Sequence, residues 1–458
     1  MARASNNQLS IKLTRFFLKI VGFWLSNDSS QQRLLDLALT YTIISVIFGT
    51  IVIWMDFYYS IDDFYNFAYA LTNIMTLLMV QCKLLIFTME RRNLIDLIRY
   101  SKDNFWELRH DAFGSRVLDD CEKKCITFVF TFTAFAQGTV CSYVMTPIID
   151  NVGKNETDRN LPFNIWVDLP VTTSPYFEIL FFVQTLSLYH VGILYFCFDN
   201  LLCILNIHVE GQFRILNRSL ENMCDDGTGD ETCGPETITN DDRYVGDSHS
   251  LTEKLKKCLR HHQSLIAFID RMEAVFTMII LIQVVVFSIL ICLVAYQAFL
   301  VGGPFLRRII FLVHCAGTFT QLFMFTLTCH NLYEASCDVA NAAYRSGWYL
   351  LAQSNSCTKF LRKDITIMIM RARRPCCLTA CGFFRISLET FMTVRLTLSE
   401  LVLLHRLHKT QFLVCNRSTI RRSRTSPCSG RVVESRFRFV EIRAHVNSDF
   451  VNKYAAGI

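Results

Sequence analysis

Cysteine is the first residue type to place, because the chain has 19 of them alongside 11 histidines. That is enough for a zinc site or a disulfide framework. No Cys-x2-Cys pair meets a second such pair, the spacing a structural zinc site needs. Cys82, Cys141, Cys197, Cys203, Cys292, Cys315 and Cys329 sit in or beside long apolar runs, where thiols behave as small apolar residues. The acidic run from Asp225 to Glu231 invites a calcium reading, but it lacks the EF-hand spacing and its closing Glu. No metal or other cofactor is expected. There is no nucleophile elbow, Walker loop or metal-binding histidine pair, so the chain does not read as an enzyme. Gln137, Gln184, Gln283 and His190 fall inside apolar runs and read as polar groups bonding between helices.

The elements that must position these residues are unusually apolar. Apolar residues make up 52% of the chain and charged residues 19%, where soluble domains carry roughly 25% charge. The apolar residues are gathered into charge-free runs at 37–55, 64–82, 125–149, 179–198, 274–306 and 309–333. A membrane-crossing helix needs about 20 mostly apolar residues. Buried helices of a soluble core would show polar faces at helical spacing, and these runs do not. The predicted fold is all-α, a polytopic helix bundle with six clear spans and a marginal seventh. The first 33 residues lack a cleavable apolar core, so the first span is expected to act as an uncleaved targeting signal.

Loop charge predicts the threading, since cytoplasmic loops are enriched in Lys and Arg. Bases crowd residues 1–36, the connection from Lys83 to Lys124, the stretch from Arg214 to Arg271 and the segment from Arg345 to Arg374. The alternate connections, near 56–63, 150–175 and 299–306, are poor in base. The N-terminus is therefore expected in the cytosol. The sequon Asn155-Glu156-Thr157 then falls outside, where glycosylation is possible. Residues 1–36 read as a cytosolic segment, 37–333 as the six-span bundle, and 334–385 as cytosolic anchor helices. Within the bundle, 221–250 holds nine acids and little to bury, so it reads as a mobile cytosolic loop. Residues 89–124 and 204–220 read as cytosolic extensions of the spans.

The C-terminal half carries ordered blocks: Gln321 to Phe325, then Glu334-Ala-Ser-Cys-Asp-Val-Ala-Asn341-Ala-Ala-Tyr344-Arg-Ser-Gly-Trp348-Tyr349, then Ile369 to Pro375, Leu378 to Phe384 and Ser387 to Phe391. Upstream, His208 to Phe213 and Cys258 to His262 agree. Over roughly residues 15–394 the chain resembles the insect odorant receptors. That resemblance implies a subunit that binds a small volatile odorant within the membrane and gates a cation channel with a shared co-receptor. The two would form a hetero-oligomer, a tetramer, in the plasma membrane of olfactory sensory neurons. Membrane lipid is the other implied partner, and nucleic acid is not one. Tyr344, Trp348 and Tyr349 would lie where subunits meet, with packing inside one chain as the competing reading. A gustatory or other seven-span chemoreceptor is the alternative, although the Thr-Tyr…Gln-Phe signature of gustatory receptors is missing.

The resemblance implies a pocket in the outer half of the membrane among the second, third, fourth and sixth spans, with the fifth nearby. Its residues are nominated by type, since such a pocket is mostly apolar and aromatic with few polar groups. They are Tyr69 and Thr72; Gly138, Ser142 and Met145; Phe177, Phe181 and Tyr189; and Phe276. Ordinary helix packing is the competing reading of each. Glu178 is expected to be the acid facing the vestibule.

After Val394 the chain departs from the family, whose final helix lines the pore. The marginal span, 386–412, contains Glu389, Arg395, Glu400, Arg406 and Lys409. One central charge costs about 2.5–3.5 kcal/mol on insertion. The tail, 413–458, is basic and outside the resemblance. The stretch from Arg395 onward reads as translated intron, with a divergent tail and a subunit that does not conduct as the alternative. A spliced transcript encoding Arg395 onward would exclude the intron.

Overall fold

The computed structural model describes residues 9–26, 28–62, 64–106, 111–165, 171–223, 240–299, 305–350 and 356–396. All of them belong to the first of two compact units, 1–398. Most of the acidic stretch 221–250, most of the marginal span 386–412 and all of the tail 413–458 lie outside the described residues.

Among the described residues the structure is helical: α1 (Leu9–Ile20), α2 (Ser29–Tyr59), α3 (Phe64–Met89), α4 (Arg91–Ser101), α5 (Ala112–Asp150), α6 (Tyr176–Glu221), α7 (Asn240–Phe299), α8 (Phe305–Arg345) and α9 (Ser356–Ala372). Six of these, α2, α3 and α5–α8, are long and apolar enough to cross a membrane. On α2, Leu37, Ile44, Ile47, Ile51 and Trp54 recur at helical spacing and are all more than half exposed. An apolar stripe of this size is costly in water and ordinary against lipid tails.

α6 is the mast of the bundle. Every residue from Phe196 to Phe213 is buried, so this half of the helix is enclosed on all sides. α1, α3, α5, α7 and α8 surround it. Gly211 permits the approach of α5, since a Cβ there would lie 2.6 Å from Cys121 Sγ. In the other half, 176–192, only Gln184 and Ser187 are buried. The helices part there, at the end bearing the α2–α3 and α5–α6 connections.

Two features differ from the sequence-based expectation, and a third, the docked helix near the N-terminus, adds to it. Residues 89–124 do not simply prolong the spans: α3 stops at Met89, α4 begins at Arg91 and leads into a π-helical turn at Lys102–Trp106. The cause is local, because Leu94, Ile95, Leu97 and Ile98 form a separate apolar face that α4 buries. Residues 1–36 hold a docked helix. Phe17 of α1 meets Phe196 edge-on at 5.0 Å, and Ser10 bonds Glu122 of α5 through its N–H (2.9 Å) and hydroxyl (2.7 Å). Lys83, one of the bases assigned to a loop, is fully buried on α3. Its ammonium lies 2.7 Å from Asp199 of α6 and donates to the Tyr195 carbonyl at 2.9 Å.

In the 334–385 segment, α8 runs on to Arg345 and α9 follows. A tight hairpin comes next, with Ala380 N–H bonded to Phe384 O and Ile386 N–H to Leu378 O. Residues 388–396 are helical, and Phe391 packs on Phe319 and Phe323 of α8.

Candidate ligand cavity

Where the helices part, α2, α3, α5, α6 and α8 enclose a cavity of about 120 Å³. Phe48, Val52 and Ile53 come from α2, Leu77 from α3, Ala136 and Val140 from α5, Leu188 and Val191 from α6, and His314 from α8. Gly49 and Gly192 leave room where side chains would intrude. A Cβ on Gly192 would stand 2.7 Å from Val140 Cγ2.

The polar residues in the wall are turned back on the protein. Thr76 donates to Thr72 O (3.0 Å), Thr139 to Phe135 O (2.9 Å) and Ser187 to Ser45 O (2.9 Å). In hydrocarbon surroundings an unmade hydrogen bond is costly, so short hydroxyls close onto nearby helix carbonyls. The wall therefore presents mainly carbon, as a site for a small apolar ligand requires.

Above the cavity lies a more polar space of about 370 Å³, lined by Asp56, Tyr59, Asn66, Tyr69, Asp150 and Asn164 among others. Tyr143 and Phe163 line both spaces and form the partition between them. Their rings stack at 5.9 Å, and the Tyr143 hydroxyl donates to Asn73 Oδ1 at 2.9 Å. Gln184 holds Phe163 in place: its oxygen accepts Phe163 N–H at 3.0 Å and its amide donates to Phe163 O at 2.9 Å. This glutamine thus bonds a connecting loop, whereas the sequence reading had it bonding another helix.

Below the cavity, Tyr195 links the wall to the buried ion pair. Its side chain lines the cavity, its carbonyl accepts from Lys83, and its ring centroid lies 5.3 Å from the ammonium. Gln321 of α8 donates to the same Asp199 carboxylate. α3, α6 and α8 are thereby joined by charge under the cavity floor.

None of the nine nominated residues lines the cavity, and Tyr69 alone reaches the vestibule above it. Thr72 is buried one position from Asn73, with its hydroxyl receiving Gln297 of α7 at 2.8 Å. Gly138 faces Val313 (3.9 Å from a built Cβ). Ser142 bonds Gly138 O, and Met145 is exposed. Phe177 and Phe181 lie against each other near the start of α6, and Tyr189 is exposed beside His190. Phe276 is at the other end of the bundle, fully buried against Phe87. The offset from the cavity wall is, for four of the nine, one of helix phase. Asn73, Thr139, Tyr143 and Leu188 line the wall one residue after Thr72, Gly138 and Ser142 and one before Tyr189, and a single residue turns a helix by about 100°. Phe276 lies away from the cavity for another reason: α7 reaches this end of the bundle only near its C-terminus, where Gln297 meets Thr72.

Glu178 pairs with Arg159 at 3.5 Å, and the vestibule's acids are Asp56 and Asp150. His190 is half-buried, its Nδ1 3.3 Å from Leu186 O on its own helix and its ring against Tyr41. Asn155 is exposed at the start of the short 3-10 turn Glu156–Asp158. Of the aromatic trio, Trp348 packs on a small cluster with Met223, Leu255, Leu361 and Ile365. Tyr344 and Tyr349 stack on each other while 63% and 53% exposed.

Among the described residues no three His, Cys, Asp or Glu side chains gather as a metal site would need. Outside the spans, burial pushes the Cys376 and Cys377 thiols up from their ordinary value. A raised thiol is a poorer nucleophile at neutral pH.

A model of the family described as 7tm Odorant receptor matches residues 63–397. Odorant receptor 67c of Drosophila melanogaster is 25% identical over 284 residues, which cover 60% of this chain and 64% of that protein. Odorant receptor 13a of the same fly is 22% identical over 291 residues, 61% and 66% of the two chains. The match thus spans just under two thirds of these relatives' length. The olfactory receptor OR5 from Machilis hrabei has the same fold, with a TM-score of 0.69 at 17% identity over 86% of this chain and 97% of that one. Its structure in complex with eugenol matches equally well, over 87% and 97%.

Proposed function

The chain belongs to the 7tm odorant receptor family, and from that premise we propose that it is a ligand-tuned receptor subunit. It takes a small volatile molecule into the cavity between α2, α3, α5, α6 and α8, and gates a cation channel together with a co-receptor subunit, as a tetramer. It acts in the plasma membrane of olfactory sensory neurons, with its N-terminus in the cytosol. The observation that carries this reading is the cavity: about 120 Å³ with a carbon wall, partitioned from a polar vestibule by Tyr143 and Phe163. A cavity of about 150 Å³ holds benzene, so the space suits a ligand of similar size. The eugenol complex of OR5 supports a small aromatic occupant.

The test is co-expression of the full chain with the co-receptor and recording of currents across a broad odorant panel. Ala136→Phe, which fills the cavity, is expected to raise the half-maximal concentration of any active odorant at least about tenfold, some 1.4 kcal/mol, at unchanged surface expression. An unchanged response would remove the cavity from the mechanism.

Glu389 and Arg395, both exposed on the 388–396 helix, favour a second reading in which the subunit binds ligand but contributes no pore helix. Replacing the chain beyond Val394 with an apolar final helix separates the two. Currents only in the repaired form support the second reading, and silence in both forms counts against a channel role altogether.

A further inference from the structure

His314 sits on α8 at the inner end of the cavity, 7% exposed. It also lines a side chamber of about 30 Å³ that continues toward Gln321. Its Nδ1 is buried and meets no hydrogen-bonding partner among the described residues. Its neighbours in the wall differ, apart from Tyr195, whose hydroxyl is likewise buried without a partner. Thr76, Thr139 and Ser187 are bonded to backbone carbonyls, Tyr143 to Asn73, and Gln184 to both ends of the Phe163 peptide. The cavity therefore offers a carbon wall in which the His314 imidazole and the Tyr195 hydroxyl are still to be satisfied. Leaving such a group unpaired costs free energy that a bonded ligand recovers. An imidazole can donate or accept by changing tautomer, so it suits a hydroxyl or a carbonyl.

Resting on the cavity being the odorant site, we infer that His314 hydrogen-bonds the single oxygen of the ligand. The receptor then selects small monofunctional oxygenated volatiles (alcohols, phenols, ketones) over hydrocarbons of the same shape. A site built to bond an oxygen discriminates against the analogue lacking it, because its own polar group is left unpaired. Room for the oxygen comes from the side chamber of about 30 Å³ that His314 lines with Gly317 and Thr318.

Phenol and toluene, matched in shape, provide the test. The full chain is purified in detergent, and the affinity of each compound is read from its concentration-dependent rise in melting temperature. Wild type is expected to prefer phenol. In His314→Leu that preference should fall about tenfold while toluene still binds, which shows that the cavity survives. His314→Gln, which keeps a polar nitrogen, should retain part of the preference. An unchanged phenol-to-toluene ratio in His314→Leu overturns the inference and points to a water on the imidazole. If neither compound stabilises wild type while the melting transition is intact, the cavity reading itself fails and this inference falls with it.

Discussion

Lys83 and Asp199 are charges carried into the bundle on separate helices, and each is affordable only beside the other. Both side chains are almost fully buried, and Gln321 and the Tyr195 carbonyl complete their hydrogen bonding. Removing one partner strands a buried charge, at a cost of about 3–5 kcal/mol, whereas replacing both with apolar residues is often close to neutral. Lys83→Met should therefore abolish surface expression, and Lys83→Met with Asp199→Leu should restore much of it. If the double variant also adopts the fold but no longer couples ligand to current, the pair serves gating through Tyr195. Equal loss in the single and double variants would refute the pairing argument. Each of the two residues closes an apolar run in the sequence, Lys83 after 64–82 and Asp199 after 179–198. Nothing in their spacing pairs them, because they are 116 positions apart.

At the scale of the element, α1 shows how a turn decides a docking. Gly22 has φ +77°, a left-handed conformation, and a Cβ there would meet the Leu35 carbonyl (2.5 Å) and the backbone of Leu39. Only glycine allows the chain to reverse so close to α2. Arg91 secures the reversal by donating to the Gly22 and Trp24 carbonyls, each at 3.0 Å. Gly22→Ala should cost at least about 1–2 kcal/mol from the left-handed backbone alone, with the clash adding to it. A melting temperature equal to wild type would contradict this. The helices themselves were legible, since apolar runs bounded by charges report where a chain can cross lipid. The faces were not: α2 is apolar nearly all round, so its sequence does not separate the stripe toward lipid from the stripe toward the cavity. That is why Thr72, Gly138, Ser142 and Tyr189, chosen by type, fell one position from the wall.

For the whole molecule, the proposed threading makes Asn155 extracellular. It is exposed in the α5–α6 connection, whereas Asn217 of a second sequon, Asn217-Arg218-Ser219, lies on the far half of α6 and donates to Ala335 O at 3.2 Å. Enzymatic removal of N-glycans should shift the electrophoretic mobility of wild type and leave Asn155→Gln unchanged. An N-terminal epitope should be hidden in intact cells, and its exposure would reverse the threading. By itself the sequence determined the membrane character, the helical class, the six strong spans and the family, because insertion into lipid depends on composition over about 20 residues and ordered motifs are read locally. The tertiary structure decided what depends on several distant segments at once. The cavity draws on five helices, the Tyr143–Phe163 partition on a helix and a loop, and the Lys83–Asp199 pair on two runs that each looked like a boundary. His314 stood unremarked inside an apolar run. What distinguishes it is an unpaired ring nitrogen among neighbours that, Tyr195 apart, are bonded, and that exists only once α2, α3, α5 and α6 have closed against α8.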